Sequence, residues 1–177
     1  MRCLFKKIAM FKLYENRFFG SEDDLVKAFI SKYKNRDISF GDKFIRGEYF
    51  EQIRIPEVRR VSDLVVKCEK SRLINIEFKL SDYACVMRQA KDHLRWADYS
   101  YICAPINSLE IFPQSFVLEL IERGIGLIVG NEKTFVEVFR AKHNTYKKGK
   151  VKEFRLNVLN RINKKAKDAK GNPSLFD

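Results

Sequence analysis

Two apolar segments joined by a short polar connection fix most of what this chain can become. Val61-Ser62-Asp63-Leu64-Val65-Val66 and Leu73-Ile74-Asn75-Ile76-Glu77-Phe78-Lys79-Leu80 are rich in β-branched residues, and Lys67 to Arg72 lies between them. Segments of this length and composition read as the two strands of a hairpin. From Ser81 the apolar period becomes helical: Tyr83, Val86, Met87, Ala90, Leu94 and Ala97 recur on one face, with Ser81 or Asp82 as the cap. A hairpin followed at once by a helix that must pack on it dictates an α/β layer structure.

The flanking elements extend that order. Ser21 is an N-cap candidate, with Glu22, Asp23 and Asp24 at the positive end of the helix dipole and Leu25, Val26, Phe29, Ile30 and Tyr33 along one face. This predicts a helix from Glu22 to Lys34. Phe44 to Ile55 reads as a strand stopped by Pro56, and Tyr99 to Ala104 as a buried strand stopped by Pro105. Phe116–Glu122 reads as a short helix, and Ile125–Val129 and Phe135–Arg140 as strands. The expected order is α-β-β-β-α-β with a later α, β and β, forming a central mixed sheet flanked by helices.

The two hairpin strands carry charges where apolar residues are expected. Strand alternation puts Asn75, Glu77 and Lys79 on one face and Ile74, Ile76, Phe78 and Leu80 on the other. The same parity groups Asp63 with Val65, and an antiparallel pairing can set Asp63 beside Glu77, although sequence leaves the register open. Two adjacent carboxylates raise each other's pKa and are costly unless a cation lies between them. Mg²⁺ suits such a pair, because it takes oxygen ligands and often only one or two carboxylates. A nearby lysine can stabilise charge on an attacking hydroxide or on phosphorus-bound oxygens. These residue types together suit hydrolysis of a phosphodiester.

Asp63 and Glu77-Phe78-Lys79 on a hairpin, with a helix before and after, resemble the PD-(D/E)XK nuclease superfamily, which has the restriction-endonuclease-like fold. Ser62 stands where that family often has proline. The resemblance implies that Asp63 and Glu77 bind Mg²⁺, with Mn²⁺ able to substitute, that the Phe78 carbonyl joins them, and that Lys79 is the catalytic lysine. Gln89, in Arg88-Gln89-Ala90-Lys91-Asp92-His93, resembles the glutamine that many members place on the following helix. Glu22 is a candidate for the extra acid that many members carry on the first helix, with a purely dipole-complementing role as the alternative and Glu51 and Glu57 as rivals. For His93 a structural role at the edge of the packed face is expected, and for Trp96 packing.

The family implies DNA as substrate, in repair, recombination or phage-type processing. The alternative is a nucleic-acid-binding module that keeps the fold without the chemistry. Charge is compatible with both. The formal net charge is +12, yet residues 142–170 hold eleven Lys and Arg against Glu153 and Asp168, a net of +9 that leaves +3 for the rest. A block of one sign reads as a polyanion contact. Arg59, Arg60, Arg88, Lys147, Lys148 and Lys150 are the candidate nucleic-acid contacts.

With 177 residues, 45% of them hydrophobic, the chain suits one core-bearing domain over residues 1–141 and a basic helix and tail over 142–177. Val151, Phe154, Val158 and Ile162 place a helix in the latter. Leu175 and Phe176 resemble the Leu-Phe ending of sliding-clamp-binding peptides, and a homodimer is left open. Cys3, Cys68, Cys85 and Cys103 lack metal-ligand spacing, which argues against family members holding an iron–sulfur cluster. Two lysines interrupt the N-terminal apolar run, no segment has the length of a membrane span, and a cytoplasmic location is expected.

Overall fold

The computed structural model describes residues 19–34, 47–68, 71–145 and 150–171. Lys147, Lys148, Leu175, Phe176 and the start of the strand expected from Phe44 lie outside the described residues.

The helices and strands follow in the order α1 (Glu22–Lys34), β1 (Gly47–Ile55), β2 (Arg60–Cys68), β3 (Leu73–Phe78), α2 (Tyr83–His93), β4 (Tyr99–Pro105), α3 (Gln114–Arg123), β5 (Gly126–Gly130), β6 (Phe135–Phe139) and α4 (Lys150–Gly171). The six strands lie side by side in sequence order. β1–β2 and β2–β3 are antiparallel, β3–β4 and β4–β5 parallel, and β5–β6 antiparallel. The sheet is therefore mixed, as expected.

Topology follows from the connections. A short polar link allows only the antiparallel β2–β3 hairpin, whereas the parallel pairs need crossovers, which α2 and α3 supply. β3 and β5 are buried at every residue, and β4 at every residue after Tyr99. That two-sided burial explains why their sequences read as continuous apolar runs rather than alternations.

Three layers result. On one face, Leu25, Phe29 and Ile30 of α1 pack on Leu64, Val66, Ile74, Ile76 and Phe78. Phe29 meets Phe78 and Phe135 edge-on, with centroids 5.3 and 5.2 Å apart. On the other face, Val86, Met87 and Ala90 of α2 and Phe116 and Leu120 of α3 cover Ile102, Leu127 and Val129.

The second face is completed by α4. Phe154, Val158 and Ile162 are buried with Phe50, Ile53, Ile55, Val65, Leu73 and Trp96. The expected division between residues 141 and 142 is thus not a packing boundary. The basic residues of α4 also bind the body. Arg155 pairs with buried Asp98 at 2.6 Å, Arg161 with Glu57 at 3.2 Å, and Lys165 Nζ donates to the Glu51 carbonyl at 2.5 Å. Part of the C-terminal charge therefore fastens the helix, leaving Lys152, Lys164 and Lys167 among its exposed cations.

No described helix is long and apolar enough to cross a membrane. Cys85 and Cys103 are free thiols.

Candidate active site

The β2–β3 ladder pairs Leu64 with Ile76 and stops there. One further step in the same register sets Asp63 opposite Glu77. At that step Asp63 Oδ2 accepts the Phe78 N–H at 2.9 Å, so a side chain takes a main-chain donor at the end of the ladder.

A slip in strand alternation accompanies this change. Leu64 and Val66 belong to the α1-side cluster, whereas Ile53, which pairs with Ser62, belongs to the α4-side cluster. Ser62 likewise turns to that side, its hydroxyl donating to Asn75 Oδ1 at 2.5 Å. Residues 62 and 64 of one strand therefore face opposite layers. Gln52, between the partners of Ser62 and Leu64 on β1, absorbs the slip with φ of 50°, a left-handed value that non-glycine residues seldom adopt.

Glu77 lies under α2 and is fully buried. Neither of its carboxylate oxygens makes a hydrogen bond of regular geometry, although the Asn75 side chain and the Asp63 main chain approach it closely enough to oppose the rise in its pKa. His93 Nε2 lies 3.2 Å from Oε1, close enough for an electrostatic contact but outside hydrogen-bond geometry. Burial pushes the Glu77 carboxyl well above the usual carboxylate range, and the charge of Asp63 pushes it further. Burial also raises the Asp63 pKa, against hydrogen bonds from the Phe78 N–H and the Gln52 side chain. His93 is lowered to about 4, chiefly by burial. Without a cation, burial thus favours the neutral forms of Glu77 and His93.

The polar groups beneath the site are satisfied. Asn75 accepts from Ser62 and donates to Ser100 Oγ, which donates to the Ala90 carbonyl at 3.1 Å. This chain ties β2, β3, β4 and α2 together below Glu77. Against that background Glu77, with no well-formed hydrogen bond to either oxygen, is a local exception, and its ionised form would need a counter-charge.

Lys79 lies one residue beyond β3. Its N–H donates to the Cys103 carbonyl at 3.0 Å, and its Nζ pairs with Glu22 Oε1 at 2.8 Å. The hydrogen bond to Glu22 raises the Lys79 pKa. Glu22 is brought to the site by the α1 start, where Ser21 Oγ caps the Asp24 N–H at 3.1 Å. The alternation that places Glu77 and Lys79 on one face ends with the strand, so Glu77 meets α2 while Lys79 meets α1.

No protein-family profile and no curated protein matches the chain. Among solved structures, the SPO1766 protein of unknown function from Silicibacter pomeroyi is similar over 73% of this chain and 84% of its own, with 14% identity and a TM-score of 0.48. That likeness carries no functional argument, so the reading rests on the residues.

Where β2 and β3 part, Asp63 neighbours both Glu77 on the α2 side and the Lys79–Glu22 pair on the α1 side. Phe78 joins them through its backbone. Gln89 lies on α2 one turn from Cys85 and one from His93, and its Oε1 is 3.9 Å from Cys85 Sγ. Residues four apart share a helix face, so Gln89 lies on the face whose His93 meets Glu77. Arg60 is engaged with Asp92 at 2.9 Å rather than free for a phosphate. Arg59 and Arg88 are exposed, and Lys150 opens α4. Glu57 gives its carboxylate to Arg161, which commits that rival of Glu22 to α4, whereas Glu51 gives Lys165 only its main-chain carbonyl.

His93, expected at the edge of the packed face, is instead fully buried against Glu77. Its four-residue spacing from Gln89 is the sequence signal for that position. Trp96 is buried as expected, with Nε1–H donating to His93 Nδ1 at 2.9 Å.

The donor set fits a hard divalent cation in kind. Two carboxylates are within the number that Mg²⁺ usually takes from protein. No group of three or more His, Cys, Asp or Glu placed to hold a metal occurs among the described residues. A site of this kind would leave room for water and a phosphate oxygen.

Proposed function

We propose that this chain is a metal-dependent nuclease with a restriction-endonuclease-like core of the PD-(D/E)XK type, hydrolysing DNA phosphodiester bonds. The observation that carries this reading is buried Glu77, with no well-formed hydrogen bond to either carboxylate oxygen, opposite Asp63 at the parting of two strands. The helix-flanked mixed sheet and the Lys79–Glu22 pair support it.

Asp63 and Glu77, with the Phe78 carbonyl, would hold Mg²⁺ or Mn²⁺. A cation bound there neutralises charge on a phosphate and makes its water more acidic. Lys79, oriented by Glu22, holds an ammonium at the edge of the carboxylate pair, suited to stabilising developing negative charge. Gln89 offers an amide from the α2 face. Arg59, Arg88 and the exposed lysines of α4 supply cations for backbone phosphates, a contact that weakens steeply with salt.

The deciding experiment measures cleavage of single-stranded, duplex, flap and four-way-junction DNA with Mg²⁺ or Mn²⁺. Wild type should cut, while Asp63→Ala, Glu77→Ala, Lys79→Ala and chelated wild type should not. Equal cutting by all four proteins refutes the assignment. DNA binding without Mn²⁺ binding that depends on Asp63 and Glu77 would make the chain a non-catalytic nucleic-acid-binding module. The ending with Leu175 and Phe176 is proposed as a clamp-binding peptide, tested by clamp capture that Leu175→Ala with Phe176→Ala should abolish.

A further inference from the structure

The last turn of α2 braces both carboxylate-bearing strands with adjacent side chains. Asp92 pairs with Arg60 on β2, three residues before Asp63, at 2.9 Å. His93 faces Glu77 on β3, with Nε2 3.2 Å from Oε1. Both members of the His93–Glu77 contact are fully buried, so water does not compete for it.

Which atom of His93 carries the proton is settled by its other neighbour. A neutral imidazole has one N–H and one bare nitrogen. The Trp96 indole can only donate, and its Nε1–H is aimed at His93 Nδ1 at 2.9 Å. Nδ1 is therefore the acceptor, and the proton resides on Nε2, facing Glu77. That arrangement also removes His93 from the metal ligands, since its bare nitrogen is already occupied.

We infer that His93 is a positioning residue for Glu77: Trp96 fixes its tautomer so that Nε2–H holds one carboxylate oxygen and keeps the group aimed at the cation site. The inference rests on the metal-site reading above. It assigns the unmet Nε2 and the Glu77 oxygen 3.2 Å away to each other. Residues that orient a metal ligand in this way set affinity by about 10–100-fold. The Arg60–Asp92 pair performs the parallel task for β2, holding the strand that carries Asp63.

Two measurements test it. Nitrogen-15 NMR of the wild-type imidazole without metal should show Nδ1 bare and Nε2 protonated, and a protonated Nδ1 overturns the inference without reference to any variant. Calorimetric titration with Mn²⁺ should then show His93→Leu weakened by about 10-fold or more and His93→Gln, which restores a donor at the Nε2 position, within about threefold of wild type. Thermal midpoints of the two variants should agree, separating positioning from packing. Wild-type Mn²⁺ binding with His93→Leu equally tight refutes the positioning role alone. Wild type that binds no Mn²⁺ refutes the metal site and this role together.

Discussion

Replacing Glu77 by Gln should stabilise the cation-free protein and remove its response to divalent cations. The side chain is fully buried, and neither oxygen makes a hydrogen bond of regular geometry. A buried polar group left unsatisfied costs about 1–3 kcal/mol, and more when charged. Glutamine has the same shape and no charge, and its oxygen can accept from His93 Nε2–H, while its amide nitrogen still needs a partner. The net gain should therefore be about 1–2 kcal/mol, or about 2–8 °C in melting temperature for a chain of this size. The sign follows from linkage. The folded-state pKa of Glu77 lies above its unfolded value. Between the two the native state holds the extra proton, so stability falls as pH rises through that window. The advantage of Glu77→Gln should accordingly grow with pH.

Scanning calorimetry in chelator, then with Mn²⁺, reads both halves. At about 100 times its dissociation constant, Mn²⁺ should stabilise wild type by about 2.7 kcal/mol and leave Glu77→Gln unmoved, so the order of melting temperatures reverses. A variant that melts below wild type in chelator would show that Glu77 is already satisfied. Equal Mn²⁺ shifts in both proteins would remove Glu77 from the ligands.

Three other perturbations separate chemistry from architecture. Lys79→Ala should cut DNA cleavage by about 10²–10³-fold, yet change stability by less than about 1 kcal/mol because its pair with Glu22 is partly exposed; cleavage and Mn²⁺ titration together check this. Arg155→Ala leaves buried Asp98 without its guanidinium, though still bonded to the Leu73 N–H, and should cost about 3 kcal/mol in chemical denaturation, whereas Lys164→Ala with Lys167→Ala should leave stability within about 0.5 kcal/mol and lower the salt slope of DNA binding by about one for each phosphate no longer neutralised. The His93 pKa is depressed to about 4, so its contribution is full above the unfolded value of about 6.5 and is lost as pH falls through that window; the wild-type stability profile should show this loss and His93→Gln should flatten it.

How much of this was legible depended on how each residue is held. α1 and α2 were readable because a one-sided helix writes its buried stripe into the sequence, as at Leu25, Phe29, Val86 and Ala90. The pairing of Asp63 with Glu77 was readable as an allowed register, and the burial of Leu64, Val65 and Val66 shows why no more could be read: a strand covered on both faces has no polar side to mark its parity. The slip at Asp63 needed the partner strand, because it is expressed in the backbone of Gln52. α4 was readable as a helix from Phe154, Val158 and Ile162, but its charge suggested an appendage. Arg155, Arg161 and Lys165 find their partners 57, 104 and 114 residues away, pairings that local sequence does not encode.

Three of the four left-handed non-glycine residues among those described lie near the candidate site, the fourth being Ser71 in the β2–β3 connection, and Gln52 offers a way to test whether they serve it. Gln52, Arg59 and Asp82 have φ of 50°, 53° and 52°. They lie opposite Asp63, beside Arg60 and at the cap of α2. Left-handed backbone costs a non-glycine residue about 1–2 kcal/mol, and such strain persists where the surrounding structure imposes it, often at functional sites. Gln52→Gly would relieve the strain at an entropic cost of about 0.5–1 kcal/mol, for a net gain of up to about 1.5 kcal/mol. It would also remove the side chain that bonds Asp63. If the slip exists to aim Asp63, the variant should melt at or above the wild-type temperature and bind Mn²⁺ more weakly. A clear loss of stability with unchanged Mn²⁺ affinity would mark Gln52 as an ordinary part of β1 and separate the backbone slip from the site.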